Sequence, residues 1–175
     1  ASLDYRFNTS EDVVVLQRNL ALPAGSNPQA RALAGQWRAS QTPEGVIDKA
    51  LALFAAEFTY TLQPPLLGRH SVDDFLFQSK RGFCEHYAAA FVVLMRAAGI
   101  PARVVGGYQG GEFNPLDQYL VVRQSDAHAW TEVWLAGKGW VRVDPTAAVS
   151  PDRIETGIAS ALGFGEPLPM LIQLR

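Results

Sequence analysis

The chain is short of several things, and each shortage excludes something. It has one cysteine, Cys84, so no disulfide can close within it. Its longest apolar run lies between His86 and Arg96, well under the roughly 20 residues that cross a bilayer. Basic residues are not in excess: 15 Lys and Arg stand against 17 Asp and Glu, for a net charge of -2. Without clustered Lys and Arg, the electrostatic footprint of a nucleic-acid-binding protein is missing, and no nucleic-acid partner is expected. The opening Ala1-Ser2-Leu3-Asp4 lacks the charged start and apolar core of a secretory leader, and it reads as the edge of a piece excised from a longer protein. Repeats and low-complexity tracts are absent too. What is abundant is apolar content, 48% of 175 residues, enough for one well-filled domain.

Residues 1–25 read as an extended arm, because Val13-Val14-Val15-Leu16 is a β-branched run ended by Pro23 and Gly25. A helix is expected from Ser26 or Asn27 to about Ser40, with Pro28 in its first turn and Leu33 and Trp37 on one face. Thr42 should cap a second helix, with Pro43 and Glu44 behind it. Val46, Ile47, Ala50, Leu51, Phe54 and Phe58 form its 3.6-residue stripe. After a loop over 61–69, Ser71 and Asp74 suggest a variant capping box before a short helix through Phe75 and Phe77. A third long helix should run from Cys84 to about Ala98, stopped by Gly99 and Pro101. Its stripe, Ala88, Phe91, Val92 and Met95, continues from Cys84.

Beyond Pro101 the period changes to two. Strands are expected at Arg103-Val104-Val105, with a bulge or close approach at Gly106-Gly107, and at Tyr119-Leu120-Val121-Val122. Ala129–Trp134 and Gly139–Val143 should form a hairpin around Gly137-Lys138-Gly139. A further helix is expected over 153–162.

Cys84, His128 and Asp144 follow one another in the order of a nucleophile, its base and the group that orients the base. Cys84 begins a helix, where the partial positive charge of the N-terminus favours the thiolate. His128 and Asp144 are sixteen residues apart on the two arms of one hairpin, and the even separation puts them on one face in an even-sum register without a bulge. A pairing sum of 272 sets them opposite, with Cβ atoms about 4.5–5.5 Å apart. A sum of 274 makes them diagonal neighbours, still in reach. The Cys84 backbone N–H is the natural first oxyanion donor. Gln78, six residues upstream, stands at the offset of the oxyanion glutamine of papain-like proteases and is the candidate for the second.

The bland readings have weight. A lone Cys is often a small core residue, and Asp144-Pro145 alone is ordinary turn chemistry. His86 lies two residues from Cys84, pointing away on a helix. His70 sits in a loop with no partner in view. Zinc on Cys84, His86 and His128 would lack a second cysteine and paired ligand spacing, so no metal is expected. Trp130, Trp134 and Trp140 fit a core or a cleft wall equally. Arg103 is expected in a structural ion pair.

Four segments carry a resemblance. Gly82-Phe83-Cys84-Glu85-His86-Tyr87-Ala88, Gly99-Ile100-Pro101-Ala102-Arg103, His128-Ala129-Trp130 and Trp140-Val141-Arg142-Val143-Asp144-Pro145-Thr146 resemble successive motifs of the transglutaminase-like superfamily, rearranged relatives of papain-type proteases. Leu20-Ala21-Leu22-Pro23 and Phe58-Thr59-Tyr60-Thr61 resemble a narrower group, the periplasmic loop of TgpA-type bacterial inner-membrane proteins. The resemblance implies an α+β fold in which the helix bearing Cys84 packs on an antiparallel sheet bearing His128 and Asp144. It implies one domain over 1–175: an arm over 1–25, a helical subregion over 26–80, a catalytic core over 81–146 and an extension over 147–175. It further implies acyl transfer through a Cys84 thioester, of the protein-glutamine gamma-glutamyltransferase type. A peptidase or amidase with the same three residues, or a binding module that kept the fold, are the alternatives. The partners implied are a protein or peptide glutamine donor and an amine acceptor or water. The domain itself would be soluble, at the periplasmic face of a bacterial inner membrane, within a membrane-anchored protein. No cofactor is expected. The upstream tryptophan and the calcium loop of animal transglutaminases have no counterpart here.

Overall fold

In the computed structural model, residues 11–151 are described. The helix expected over 153–162 lies outside them. The first element departs from expectation. Val13–Arg18 is a helix, α1, not an extended strand. Asp12 caps it, its carboxylate accepting from the Val14 N–H at 2.8 Å. Three β-branched residues together cost roughly 1–2 kcal/mol of helix preference, and an N-cap contributes about 1 kcal/mol, so the cap offsets much of that cost. The segment is also tied down: Asn19 C=O accepts from Ala102 N–H at 3.1 Å, and the Arg96 guanidinium donates to Ala21 C=O at 2.9 Å.

Helices α2 (Pro28–Ser40) and α3 (Pro43–Glu57) begin at the expected prolines. Thr42 caps α3, its hydroxyl accepting from Gly45 N–H at 3.2 Å. The stripe on α3 buries Val46, Ile47, Ala50 and Phe54. Two residues, Thr59–Tyr60, then form β1. The next helix, α4 (Ser71–Asp74), continues into a π-helical turn over Phe75–Ser79. The expected capping box is not formed, because His70 is the capping position and no side chain caps the helix. The two acidic residues turn elsewhere. Asp73, buried, accepts from Ala30 N–H at 2.8 Å and Gln29 N–H at 3.0 Å, capping α2 from across the fold. Asn27 returns the favour by accepting from Val72 N–H at 3.1 Å, and His70 Nδ1 accepts from Asn27 N–H at 3.1 Å. His70 thus has a partner, in a clasp between α2 and α4.

Arg81–Gly82 (β2) pairs in parallel with β1, and Thr61 N–H adds a bond to Gly82 C=O at 2.8 Å. This short bridge fixes the chain immediately before α5 (Cys84–Ala97). The helix stops at Ala98 and Gly99, whose φ of +76° suits glycine.

The main sheet is antiparallel, in the order β3-β6-β7: Ala102–Tyr108, Ala127–Leu135 and Gly139–Val143. Strand β3 runs through Gly106 and Gly107 in regular register, without a bulge. The close approach is real, since a Cβ on Gly107 would lie 2.7 Å from Trp130 Cη2. Between β3 and β6, Glu112–Asn114 (β4) and Tyr119–Val121 (β5) make a separate hairpin. The β6–β7 register pairs Thr131 with Val143 and Leu135 with Gly139, a sum of 274.

The core lies behind α5. Phe54, Phe58, Phe75 and Tyr87 form an aromatic cluster with neighbouring centroids 5.1–6.4 Å apart. The odd residues of β6, among them Val133 and Leu135, join the buried interior, while Trp130, Glu132 and Trp134 are half-buried on the other face. The result is the α+β arrangement expected: a Cys-bearing helix on an antiparallel sheet.

Candidate active site

Cys84 is the first residue of α5 and is 8% exposed. Its position depends on Gly82, where a Cβ would lie 2.7 Å from His86 Cβ and 3.0 Å from Phe75 Cε2. Phe83 occupies the capping position and makes no side-chain cap, so the first amides of α5 have no side-chain acceptor. Cys84 packs with Ala88 of its own helix and Ala129 of β6.

His128 is the second residue of β6. By alternation it belongs with Trp130 on the outer face, but its side chain is 0% exposed. Its Nε2 lies 2.7 Å from Asp144 Oδ2, the diagonal arrangement that a sum of 274 allows. An ionised carboxylate only accepts, so Nε2 carries the hydrogen and Nδ1 is left with its lone pair. Nδ1 is buried and has no partner at hydrogen-bond geometry, yet Cys84 is close enough to act on the ring. Burial by itself would lower the basicity of His128. The hydrogen bond to Asp144, then the hydrogen-bonding and charge of Cys84 and the charge of Asp144, outweigh it and raise the imidazole above its ordinary value.

Asp144 uses both oxygens. It caps the 3-10 turn Pro145–Ala148, Oδ1 accepting from Thr146 N–H at 3.2 Å. Oδ2 receives His128 and also lies 3.4 Å from Arg142 Nη2. Asp144 therefore both caps the turn and accepts from His128.

Other predicted residues fall elsewhere. Gln78 bonds within its own helical segment. It is exposed, and its amide donates to Asp74 Oδ1 at 3.1 Å, four residues back on the same helical segment. His86 packs edge-on against Phe83 at 4.5 Å, and burial holds it below the ordinary imidazole value. Among the described residues no group of His, Cys, Asp and Glu could hold a metal. Arg103 pairs with Glu132 at 2.7 Å and lies over Trp140 at 4.1 Å.

Sequence reasoning passed over Arg142 and gave Trp130 no particular role. Arg142 sits 4.4 Å over the Trp130 ring, and Trp130 stacks beside His128 at 6.2 Å. The signal was available, since Arg142 is two residues before Asp144 and so shares its face.

The transglutaminase-like superfamily model matches residues 31–145, more than half of the chain. The chain is 55% identical over 147 residues to a Pseudomonas aeruginosa protein named protein-glutamine gamma-glutamyltransferase, spanning 83% of this chain but only 22% of that protein. It is 52% identical, with a TM-score of 0.84, to the crystal structure of the periplasmic domain of TgpA from Pseudomonas aeruginosa, covering 88% of this chain and 54% of that one. An uncharacterized Bacillus subtilis protein, YebA, is 35% identical over 148 residues, 78% of this chain and 20% of that protein. The chain belongs to the transglutaminase-like superfamily.

Proposed function

We propose that the chain catalyses acyl transfer through a thioester on Cys84, of the protein-glutamine gamma-glutamyltransferase type. The observation that carries this reading is the His128–Asp144 pair at 2.7 Å, with the other ring nitrogen buried and left without a partner. Nδ1 takes the Cys84 proton, and the thiolate attacks the carbonyl carbon of a glutaminyl side-chain amide. The tetrahedral oxyanion takes a first hydrogen bond from the Cys84 N–H at the helix start. The imidazolium then gives its proton to the leaving nitrogen, and ammonia departs. In the second half an amine attacks the thioester, Nδ1 removes a proton from it, and the Cys84 thiolate leaves. Water in place of the amine gives hydrolysis.

The name of the Pseudomonas aeruginosa relative supports glutamine as donor and an amine as acceptor. The likeness to a periplasmic domain supports work at the periplasmic face of an inner membrane, within a longer, membrane-anchored protein. No helix among the described residues is long and apolar enough to cross a membrane. The test presents the domain with a glutamine-donor peptide and a labelled amine, and measures ammonia release, amine incorporation and peptide cleavage together. Ammonia and incorporation in step support transfer. Ammonia alone means hydrolysis of the side-chain amide. Backbone cleavage would replace the reading by a peptidase.

A further inference from the structure

Arg142 is not required by the thioester scheme, yet it is held in three ways. Its guanidinium stacks 4.4 Å over Trp130, lies 3.4 Å from Gln109 Oε1, and lies 3.4 Å from Asp144 Oδ2, the oxygen that receives His128. Trp130 reaches this position because Gly107, across the strand pair, has no Cβ to obstruct the ring. Glu132 faces Arg142 in register but is already paired with Arg103 at 2.7 Å. Among the described residues the ion-pair partner of Arg142 is Asp144, just past the end of β7, which in turn receives His128.

We infer that Arg142 is a positioning residue that divides the charge of Asp144 between itself and His128, and so limits how tightly the imidazole keeps its proton. The inference rests on the reading of His128 as acid and base. In that scheme His128 must hold a proton in the first half-reaction and be free of it in the second. A carboxylate serving the imidazole alone would favour the imidazolium and slow the second half. Arg142 competes for the same oxygen and moderates that preference. Its side chain is 48% exposed, so solvent screens the effect, and a moderate influence is expected.

The experiment is an NMR titration of the histidine-labelled domain in the wild type, Arg142→Ala and Arg142→Lys, with the His128 signal assigned by its loss in His128→Gln. In Arg142→Ala the His128 midpoint should rise by about half a pH unit, a roughly threefold gain in proton affinity. Arg142→Lys, which keeps the charge, should recover at least half of that. The acid limb of kcat should move up with the midpoint, while KM changes less than about twofold. An unchanged or lowered midpoint in Arg142→Ala would overturn the inference, and so would a lysine variant no better than alanine. If Cys84→Ala kept its turnover, the thioester reading would fall separately, because the titration needs no turnover.

Discussion

Helix α5 runs through two regions built from opposite materials. At Tyr87, one turn in, four aromatic rings surround the phenol: Phe54, Phe58 and Phe75 meet it edge-on at 5.2–6.2 Å, and Tyr60 stacks at 6.5 Å. At Cys84, which packs on Ala88 and Ala129, an ionic group lies close by: an imidazole, its carboxylate and, behind them, a guanidinium on an indole. Burial acts in opposite senses. Around Tyr87 it stabilises the fold, and it pushes the phenol well above its ordinary value, so the hydroxyl stays protonated at neutral pH. Around His128 burial alone would silence the base, and Asp144 offsets it. The difference teaches that a residue can be just as buried and serve chemistry, provided that a charge partner is buried with it.

Variants on the two sides should therefore separate. Cys84→Ala should abolish turnover, an effect beyond measurement, with Tm moved by only a few degrees, since one sulfur atom is removed at a helix end. Retained turnover, or collapse of the fold, would erase the distinction. Asp144→Asn should lower kcat by about 10²–10⁴, the upper figure being the handicap of the equivalent change in a serine protease, because Asn cannot stabilise the imidazolium and favours the wrong tautomer. His86→Ala, on the core side of the first turn, should change kcat far less, and steady-state kinetics on both variants would show equal losses if the third member were misassigned.

The converse variant lies in the core. Phe54→Ala empties a fully buried site and should cost about 3–5 kcal/mol in chemical denaturation. Alkylation of Cys84 in the molecules that remain folded should proceed at the wild-type rate. A large change there would mean that the two regions are mechanically one.

The smallest effect concerns pH. His128 binds its proton more tightly folded than unfolded, so it contributes stability that is complete below the unfolded value and lost as pH rises through the folded value. His86 has the opposite sign, because its lowered value withdraws stability as pH falls. The net curve mixes the two. Subtracting the His128→Gln stability curve from that of the wild type should leave a difference that declines between about pH 6.5 and the folded midpoint. A difference that grows with pH would contradict the raised value.

Much of this architecture was readable because its signals are local. Thr42-Pro43 and Gly99 mark helix ends by their own chemistry, and the apolar spacing of α5 continues from Cys84 without help from other segments. His128 and Asp144 needed only one hairpin and one parity. The misreadings turn largely on distant or very short contacts. Val13–Val15 are helical because of Asp12 and of ties to Ala102 and Arg96. His70 finds Asn27 forty-three residues away. The two-residue bridge β1–β2 is too short to leave a pattern, although it sets Cys84 in place. Arg142 was legible in principle, two residues before Asp144 on the same face.

The central claim is a thioester on Cys84. The most direct measurement is the mass of the domain after brief incubation with a glutamine-donor peptide without amine, followed by digestion after arginine to isolate the Gly82–Arg96 peptide. The account predicts a donor-sized adduct on that peptide, labile to hydroxylamine, absent in Cys84→Ala, and discharged when a labelled amine is added. Turnover that continues with no adduct on Cys84 in a rapid-quench time course, or an adduct on a different residue, would contradict it.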